Sequence, residues 1–264
     1  MNLLRRLFPA ADNAALPALP PGQRVYAVGD VHGCRTLFDA LIAAIERDDA
    51  ERGAAQTTII LLGDLIDRGP DSAGVLASAR ALADRRPVHL LMGNHEEMFL
   101  DSLESLDVLR EFLRFGGRET VLSYGVDPAA YHAADLSETR ALIDRHVPAE
   151  DIAFLRTFED SITLGDYHFV HAGVRPGVPL DSQKAGDLHW IRGEFLAHDD
   201  GFGAVIVHGH TIFAKPQIKR GRIGIDTGAY STGRLTALGL EGTGRWLIEA
   251  QDKDGAVTTA QRSI

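Results

Sequence analysis

The chain has 264 residues, of which 45% are hydrophobic and 24% are charged. These values are typical of a globular protein large enough to bury a substantial core. The net charge of −10 disfavours nucleic acid as a partner, because binding to a phosphate backbone requires a basic surface. No apolar run approaches the ~20 residues that a membrane-spanning helix needs. The single cysteine, Cys34, excludes an internal disulfide and, with no secretory signal pattern, favours a cytoplasmic protein.

Residues 9–23 are rich in alanine and proline, and residues 1–23 are predicted to be a flexible lead-in before a single domain of 24–264. Short apolar runs then alternate with segments in which hydrophobic residues recur every three or four positions. A β-α-β-α-β order of this kind indicates an α/β protein. The predicted strands are 24–28, 57–62 and 87–92, and the predicted helices are 35–50 and 71–84.

The pattern changes over about 97–160, where leucine and phenylalanine recur at helical spacing and predict a helical insertion. Strands dominate the remainder of the chain. They are predicted at 161–164, 167–173, 203–210, 222–226, 235–241 and 245–250.

Five of the apolar strands end in the same way, with aspartate, asparagine or histidine beside glycine. Ligand sites in α/β sheets lie at the carboxyl ends of the strands, so these side chains are expected to converge. Their mixture of oxygen and nitrogen donors suits divalent Mn, Fe or Zn. A single such ending would more simply be a turn or a helix cap, but five together favour a metal site. The endings contain Asp30 and His32; Asp64, Asp67 and Arg68; Asn94 and His95; His171; and His208 and His210.

The motifs GDVHG, GDLIDRG, GNHE, HAG and GHT occur in this order, and the similarity runs from residue 29 to about 228. This set resembles the signature of the phosphoprotein phosphatases among the calcineurin-like metallophosphoesterases, especially the small bacterial and phage-type serine/threonine phosphatases. The resemblance implies an α/β fold that is a four-layer α/β/β/α sandwich with a helical insertion. It also implies two divalent metal ions, with Mn²⁺ favoured and Fe or Zn as alternatives.

The resemblance further implies a role for each matching residue. Asp64 would bridge the two ions, and a hydroxide between them would attack phosphorus directly. Asp30 and His32 would bind the first ion. The second ion would be bound by Asn94, His171 and His210.

The resemblance implies that His95 is the general acid and that Asp67 orients it and favours its protonated form. The alternative for His95 is a hydrogen-bonding role only. Arg68 would bind phosphate oxygens with its planar guanidinium. Arg192, in the stretch LHWIRGEF, is the best match to a second phosphate-binding arginine, although a surface arginine beside Trp190 is the alternative.

Three further residues remain open from the sequence. His208 is either a direct ligand or a neighbour of the site, because the HGH stretch offers two histidines. Asp226 either orients a metal-bound histidine or is a turn carboxylate. Cys34, directly after GDVHG, is either an oxidant-sensitive thiol or a small residue at the start of a helix.

The expected substrate is a phosphorylated protein or a small phosphoester, and phosphoserine and phosphothreonine are favoured, with phosphotyrosine included. A dinucleoside polyphosphate hydrolase is the alternative on the same metal site. Glu96, which follows His95, favours the protein phosphatases, because the dinucleotide hydrolases commonly have aspartate there. A third hypothesis, an inactive scaffold, predicts lost ligands, whereas every matched position holds the expected residue type.

The insertion follows GNHE directly, so its helices are expected beside the metal site. The stretch 112–125 contains a Gly-Gly break together with Arg118 and Tyr124. It either forms a rim that contacts the substrate beyond its phosphate or only packs over the sheet.

Overall fold

Two β-sheets form the centre of the protein in the computed structural model, which describes residues 16–264. The strands in chain order are β1 Gln23–Val28, β2 Gln56–Leu61, β3 Val88–Leu90, β4 Ser161–Leu164, β5 Tyr167–Val170, β6 Val205–His208, β7 Gln217–Ile218, β8 Arg222–Gly224, β9 Arg234–Glu241, β10 Gly244–Lys253 and β11 Ala256–Ser263. The first sheet has the order β11-β10-β9-β1-β2-β3, and the second has the order β4-β5-β6-β8-β7.

The parallel strands form one side of the first sheet, with β3 at its edge, and the centre of the second sheet. In the first sheet β1, β2 and β3 are parallel, with Val25 opposite Thr58 and Ile59 opposite Val88. In the second sheet β6 is parallel to both β5 and β8. Strand β1 is buried along nearly all of its length, which is why its sequence is a continuous apolar run rather than an alternating one.

The helices pack against these sheets. They are α1 Arg35–Glu51, α2 Ser72–Ala83, α3 Asn94–Ser102, α4 Leu106–Phe112, α5 Arg118–Ser123, α6 Pro128–Ala133, α7 Leu136–His146, α8 Ala149–Leu155, α9 Ala185–Trp190, α10 Gly193–Ala197 and α11 Ala229–Thr232. A π-helical turn, Leu113–Gly117, joins α4 to α5. Asp71 caps α2 by accepting a hydrogen bond from the Gly74 amide, which explains why that helix begins there.

Three apolar clusters hold the layers together. The largest contains α1, α2 and the insertion helices against the first sheet, with Phe38 and Phe112 fully buried. A second lies between the sheets and includes Ala27 and Phe169. A third packs α9 and α10, through residues such as Phe195, onto the second sheet. The predicted mixed α/β class with a helical insertion is confirmed, and the four-layer order of the sandwich stays a prediction.

Some boundaries differ from those predicted. The helical insertion begins at Asn94 rather than at about 97, because the GNHE motif itself forms the first turn of α3. The sequence analysis missed β7, which has only two residues, and β11, whose side chains are nearly all exposed and carry no apolar alternation. Asp254 and Gly255, both with positive φ, form the turn between β10 and β11, and an Asp-Gly pair is a recognised hairpin signal.

Much of the predicted lead-in, residues 1–15, lies outside the described residues. The described part contacts the body of the protein: Leu19 is buried, and the Ala18 amide donates a hydrogen bond to Asp166. Gln23 already belongs to β1. The division between 1–23 and 24–264 stays a prediction, and these contacts place residues 18 and 19 with the domain. No helix among the described residues is long and apolar enough to cross a membrane.

Candidate metal centre

The carboxyl ends of six parallel or adjacent strands meet at one edge of the paired sheets. Asp30, Asp64 and Asn94 follow β1, β2 and β3 of the first sheet. His171 and His210 follow β5 and β6 of the second sheet, and Asp226 follows β8. Contacts cross between the sheets here, because Nε2 of His171 lies 3.0 Å from Oδ1 of Asn94. The predicted convergence of strand ends is therefore observed.

Asp64 lies at the centre, where two groups of potential metal ligands share its carboxylate. Within residues 16–264, one group contains His32, Asp64 and His95, and the other contains Asp64, His171 and His210. The donor atoms of each group lie within 4.8 Å of one another. Nε2 of His32 is 3.5 Å from Oδ2 of Asp64, and Nε2 of His171 is 3.5 Å from Oδ1. A carboxylate that faces both groups fits a pair of divalent cations.

The two buried histidines nearest Asp64 are oriented by backbone carbonyls. Nδ1 of His32 lies 2.8 Å from the carbonyl of Ile66, and Nδ1 of His171 lies 2.8 Å from the carbonyl of Leu62. Donation from each Nδ1–H leaves Nε2 without a proton and within 3.5 Å of Asp64, as is typical of metal-binding histidines. Burial lowers the pKa of His32 to about 3, so its imidazole is neutral and available as a ligand.

Asn94 completes the second group. Its Oδ1 lies 2.8 Å from Nδ1 of His210 and 3.0 Å from Nε2 of His171. Three donor atoms from three strand ends are therefore close together on one side of Asp64. These are the three residues to which the resemblance gives the second ion, and their role as ligands stays a prediction.

Asp30 lies beside these groups but belongs to neither. Its two oxygens accept hydrogen bonds from the His210 amide at 3.1 and 2.9 Å. It also contacts Asp226, and burial raises the pKa of both carboxyls, that of Asp226 to about 6. Two adjoining buried carboxyls, near neutral imidazoles, form a donor set that fits divalent cations. Asp30 as a ligand of the first ion stays a prediction. Asp226 accepts a hydrogen bond from the Gly228 amide at 2.8 Å, which is the turn role that the sequence left open for it.

His95 and Asp67 form a buried pair, as predicted. Nδ1 of His95 lies 2.6 Å from Oδ2 of Asp67, and Nε2 lies 3.9 Å from Oδ2 of Asp64. Burial alone would lower the pKa of His95, but Asp64 and Asp67 outweigh it, so the pKa is raised and the protonated form is favoured. The other oxygen of Asp67 accepts a hydrogen bond from Thr120 at 2.6 Å, a contact that the sequence analysis missed.

The two predicted phosphate-binding arginines lie on either side of the centre. A terminal nitrogen of Arg68 is 2.8 Å from Nε2 of His32, and one of Arg192 is 3.1 Å from Nε2 of His210. Each guanidinium therefore lies beside one group of potential ligands. Arg192 is exposed, and it faces the same cleft as Arg68.

The backbone is strained at the centre. Six non-glycine residues in the described part of the chain have positive φ, and five of them are predicted site residues. Each such conformation costs of order 1 kcal/mol or more and persists where the surroundings impose it, which is common at functional sites. The five are His32, Asp64, Asp67, Arg68 and His210.

Glu96 has a structural role that the sequence analysis did not foresee. Its buried carboxylate accepts hydrogen bonds from the amides of Asp64, Leu65 and Gly93 at 2.8, 2.7 and 3.1 Å. Glu96 therefore positions the Asp64 loop and has no exposed surface with which to contact a substrate. The sequence analysis took Glu96 as an indication of a protein phosphatase rather than a dinucleotide hydrolase, and this geometry does not support that distinction.

The metal centre opens into a cleft of about 600 Å³. The insertion contributes Met98 and Phe115 to its wall. Arg118 and Tyr124 are not wall residues: Arg118 pairs with Glu119, and Tyr124 donates to Asp151. The parts of the insertion that reach the cleft are thus α3, through Met98, and the π-helical turn, through Phe115. The walls are formed by Asp64, Arg68, Asn94, His95, Met98, Phe115, Trp190, Arg192, His210, Thr211, Ile212 and Tyr230.

His208 and Cys34, whose roles the sequence left undecided, do not belong to either group of potential ligands. His208 is fully buried, and its ring packs edge-on against Phe195 and Phe213. The thiol of Cys34 donates a hydrogen bond to the His32 carbonyl, and burial raises its pKa to about 11. A thiol in this state is poorly reactive, so the geometry favours the smaller, structural role for Cys34.

Comparisons with known proteins identify the family. The sequence profile described as calcineurin-like phosphoesterase matches residues 23–230. The chain is 28% identical over 237 residues to a bis(5'-nucleosyl)-tetraphosphatase PrpE [asymmetrical] of Geobacillus thermodenitrificans, covering 80% of this chain and 88% of that one. It is 30% identical over 219 residues to the serine/threonine-protein phosphatase 1 of Salmonella typhimurium, covering 81% and 90%.

Among solved structures, the cold-active protein-tyrosine phosphatase of a psychrophilic Shewanella has the same fold. Its TM-score is 0.58 with 21% identity, covering 92% of this chain and 83% of that one. The profile match covers most of the chain, and it includes the strand ends that form the ligand groups. The chain therefore belongs to the calcineurin-like phosphoesterase family.

Proposed function

We propose that this protein is a metal-dependent hydrolase of phosphate esters that works at the centre around Asp64. The observation that carries the proposal is that Asp64 belongs to both groups of potential ligands, one of which also contains His95, the hydrogen-bonding partner of Asp67. Arg68 and Arg192 face the same cleft and supply positive charge for a phosphate. The closeness of these residues supports a site in which metal ligands, an acid and phosphate-binding groups act together.

Two divalent cations fit the donor set. His32, Asp64 and Asp30 would hold one, and Asp64, Asn94, His171 and His210 would hold the other; we favour Mn²⁺, with Fe and Zn as alternatives. The chemistry that such a pair supplies when bound is activation of water near neutral pH and neutralisation of phosphoryl charge.

The chain's own residues have complementary tasks. Arg68 and Arg192 bind the non-bridging oxygens of the phosphoryl group and orient it in the cleft. His95 donates the proton from Nε2 to the departing oxygen, since an alkoxide is a poor leaving group. Asp67 accepts a hydrogen bond from Nδ1 of His95, which holds the ring in place and favours the charged form.

Two substrate classes remain as proposals. The first class is phosphomonoesters of serine, threonine and tyrosine, of which the serine and threonine esters are supported by the similarity to serine/threonine-protein phosphatase 1. Dinucleoside polyphosphates are supported by the similarity to PrpE and by a cleft wide enough for more than a phosphate. Both substrates contain a phosphoryl group that the same two arginines would bind and a leaving group to which His95 would donate a proton.

A single comparison tests the proposal. Metal-free protein is supplemented with Mn²⁺, and phosphate release from a phosphothreonine peptide is compared with hydrolysis of diadenosine tetraphosphate. Asp64→Asn is expected to reduce kcat by several orders of magnitude, because it removes the carboxylate common to both groups. Asp39→Asn, an exposed aspartate on α1, is the matched control and should leave kcat unchanged.

The preferred substrate in this comparison selects between the two classes. Calorimetric titration of Mn²⁺ into both variants gives a second readout, in which Asp64→Asn should lose metal binding. If neither substrate is hydrolysed with Mn²⁺, Fe²⁺ or Zn²⁺, the hydrolase proposal is wrong and the inactive scaffold replaces it.

A further inference from the structure

The cleft carries an unusual share of the exposed apolar surface. Eight large hydrophobic side chains are exposed in the described part of the chain, and four of them are in this one cleft. Clusters of exposed apolar side chains mark binding surfaces, since single ones are normally scattered. The four are Phe115, Trp190, Ile212 and Tyr230, with exposures of 47, 43, 43 and 40%.

The aromatic walls of the cleft, Phe115, Trp190 and Tyr230, each lie next to one of the proposed phosphate-binding arginines. Phe115 precedes Gly116, whose carbonyl accepts a hydrogen bond from the Arg68 amide at 3.1 Å. The Arg68 guanidinium lies 5.0 Å from the centre of the Tyr230 ring. Trp190 is two residues before Arg192 on the other side of the cleft. A group attached to a bound phosphate would therefore reach an aromatic ring directly.

Trp190 and Tyr230 are held in position before any ligand binds. The indole Nε1 of Trp190 donates a hydrogen bond to Glu97. The Tyr230 ring packs edge-on to His32, with ring centres 5.3 Å apart. Rings fixed in this way bind a planar partner with little further loss of conformational entropy.

We propose that the aromatic walls, with Trp190 and Phe115 as the principal contacts, form a binding site for the base of a nucleoside phosphate or polyphosphate. The inference rests on the proposed phosphoesterase function and selects the nucleotide class of substrate. A planar base stacks on aromatic side chains with little dependence on its identity. The arginines bind the phosphate, and the apolar walls bind the base beyond it.

The test uses two ligands that differ only in the base: adenosine monophosphate and ribose 5-phosphate. Trp190 is the reporter, because Trp246 is 3% exposed and its Nε1 is bound to Asp48. Tryptophan fluorescence of the full chain with Mn²⁺ is followed by stopped flow within the first seconds of mixing. Adenosine monophosphate should quench the emission and bind about tenfold more tightly than ribose 5-phosphate. Trp190→Phe should abolish the signal.

Phe115→Ala keeps the reporter and should reduce the preference for adenosine monophosphate several-fold, with binding of ribose 5-phosphate unchanged. Leu106→Ala is the matched control, since Leu106 is 44% exposed and is not a wall residue of the cleft. Equal binding of the two ligands would overturn the inference, as would an equal effect of Phe115→Ala on both. An equal gain with phenyl phosphate would overturn the nucleobase assignment in favour of any aryl ester.

Failure of this inference is separable from failure of the proposed function. If hydrolysis depends on Asp64 but the base adds no affinity, the phosphoesterase proposal stands and the nucleotide site is wrong. If the base adds affinity but no substrate is hydrolysed, the site stands and the hydrolase proposal is wrong.

Discussion

Asp67 shows how much one residue at the centre depends on its neighbours. Its side chain is fully buried, and its two oxygens have different partners, His95 and Thr120. Its backbone φ of +73° lies in the left-handed region, which an aspartate seldom adopts. Both the hydrogen bonds and the backbone therefore hold this carboxylate toward His95, which is the condition for His95 to act as an oriented acid.

We predict that His95→Asn lowers kcat about 10²- to 10⁴-fold on a phosphothreonine peptide, because proton donation to the alkoxide is lost. The loss should be much smaller on p-nitrophenyl phosphate, whose leaving group needs no proton. Steady-state kinetics on both substrates measure the difference. His132→Asn, an exposed histidine on α6, is the control. Equal losses on both substrates would contradict the role of His95 as the acid.

At the scale of elements, the insertion supports the loop after β2, which contains Asp67 and Arg68, and also forms part of the cleft wall. Thr120, in α5, also accepts a hydrogen bond from the Asp67 amide at 2.9 Å. The π-helical turn before it brings the Gly116 carbonyl to the Arg68 amide. Asp67 and Arg68, two consecutive residues of the loop after β2, are therefore held by the insertion, about 50 residues further along the chain.

Thr120→Val removes the hydroxyl while keeping the shape of the side chain. It leaves the Asp67 amide and carboxylate each with one partner fewer, so unfolding should become easier by about 1–3 kcal/mol. Since Asp67 would hold His95 less firmly, kcat should fall with little change in KM. Urea unfolding and steady-state kinetics measure the two effects. Thr120→Ser keeps the hydroxyl, so its free energy of unfolding and its kcat should both be close to those of the wild type. If the serine variant is as impaired as Thr120→Val, Thr120 does not position Asp67.

Gly116→Ala tests the contact between the turn and Arg68. Gly116 has φ +118°, and an added Cβ would lie 2.7 Å from Cγ of Arg68. Gly125 also has positive φ, +78°, but its added Cβ would meet nothing within 4 Å. Both alanine variants should lose about 1 kcal/mol of stability from backbone strain. Only Gly116→Ala should also raise KM, by about tenfold if the phosphate contact of Arg68 is lost.

The two glycine variants therefore separate strain from displacement of the arginine. Chemical denaturation measures the backbone strain, and KM for a phosphothreonine peptide measures the displacement of Arg68. If both variants change KM alike, the turn does not position Arg68.

For the whole molecule, Asp48 connects the two ends of the chain. Its carboxylate accepts hydrogen bonds from the Tyr26 hydroxyl at 2.6 Å, Arg52 Nε at 2.8 Å and Trp246 Nε1 at 2.9 Å. Trp246 is 198 residues away in the chain. Helix α1 is thereby bound to β1 and β10 of the first sheet, on the face opposite the second sheet.

We predict that Asp48→Asn destabilises the protein by about 2 kcal/mol at neutral pH, because charge-assisted hydrogen bonds are lost. Burial alone would raise the pKa of Asp48, but hydrogen bonds from Arg52 and Tyr26 outweigh it and lower the pKa below 3.8. A lowered pKa contributes stability above the unfolded value, and the contribution is lost as pH falls through the folded value.

The difference in unfolding free energy between wild type and Asp48→Asn should therefore be constant from about pH 7 to about pH 5 and shrink below about pH 4, as the carboxylate of the folded protein becomes protonated. Urea unfolding at several pH values measures it. Asp39→Asn, exposed on the same helix, should change stability by no more than about 0.5 kcal/mol. A difference that grows on acidification would contradict the assignment.

The amino-acid sequence by itself determined which side chains end the buried strands, and hence the donor set of the centre. This was possible because a strand buried on both faces is a readable apolar run, and its polar ending follows in the next few residues. The same local patterns identified the α/β class and the helical insertion. They failed for β11, because an exposed edge strand has no apolar pattern, although its Asp-Gly turn was a usable signal.

Only the tertiary structure decided which distant residues support the centre. Thr120 lies 53 residues from Asp67 in the chain. Asp30 accepts a hydrogen bond from the amide of His210, which is 180 residues away. It also showed that Glu96 faces the backbone rather than the substrate, and that Trp190 and Phe115 reach the cleft. Hydrophobic periodicity reports only neighbours within an element, whereas these contacts arise when elements far apart in the chain pack against one another.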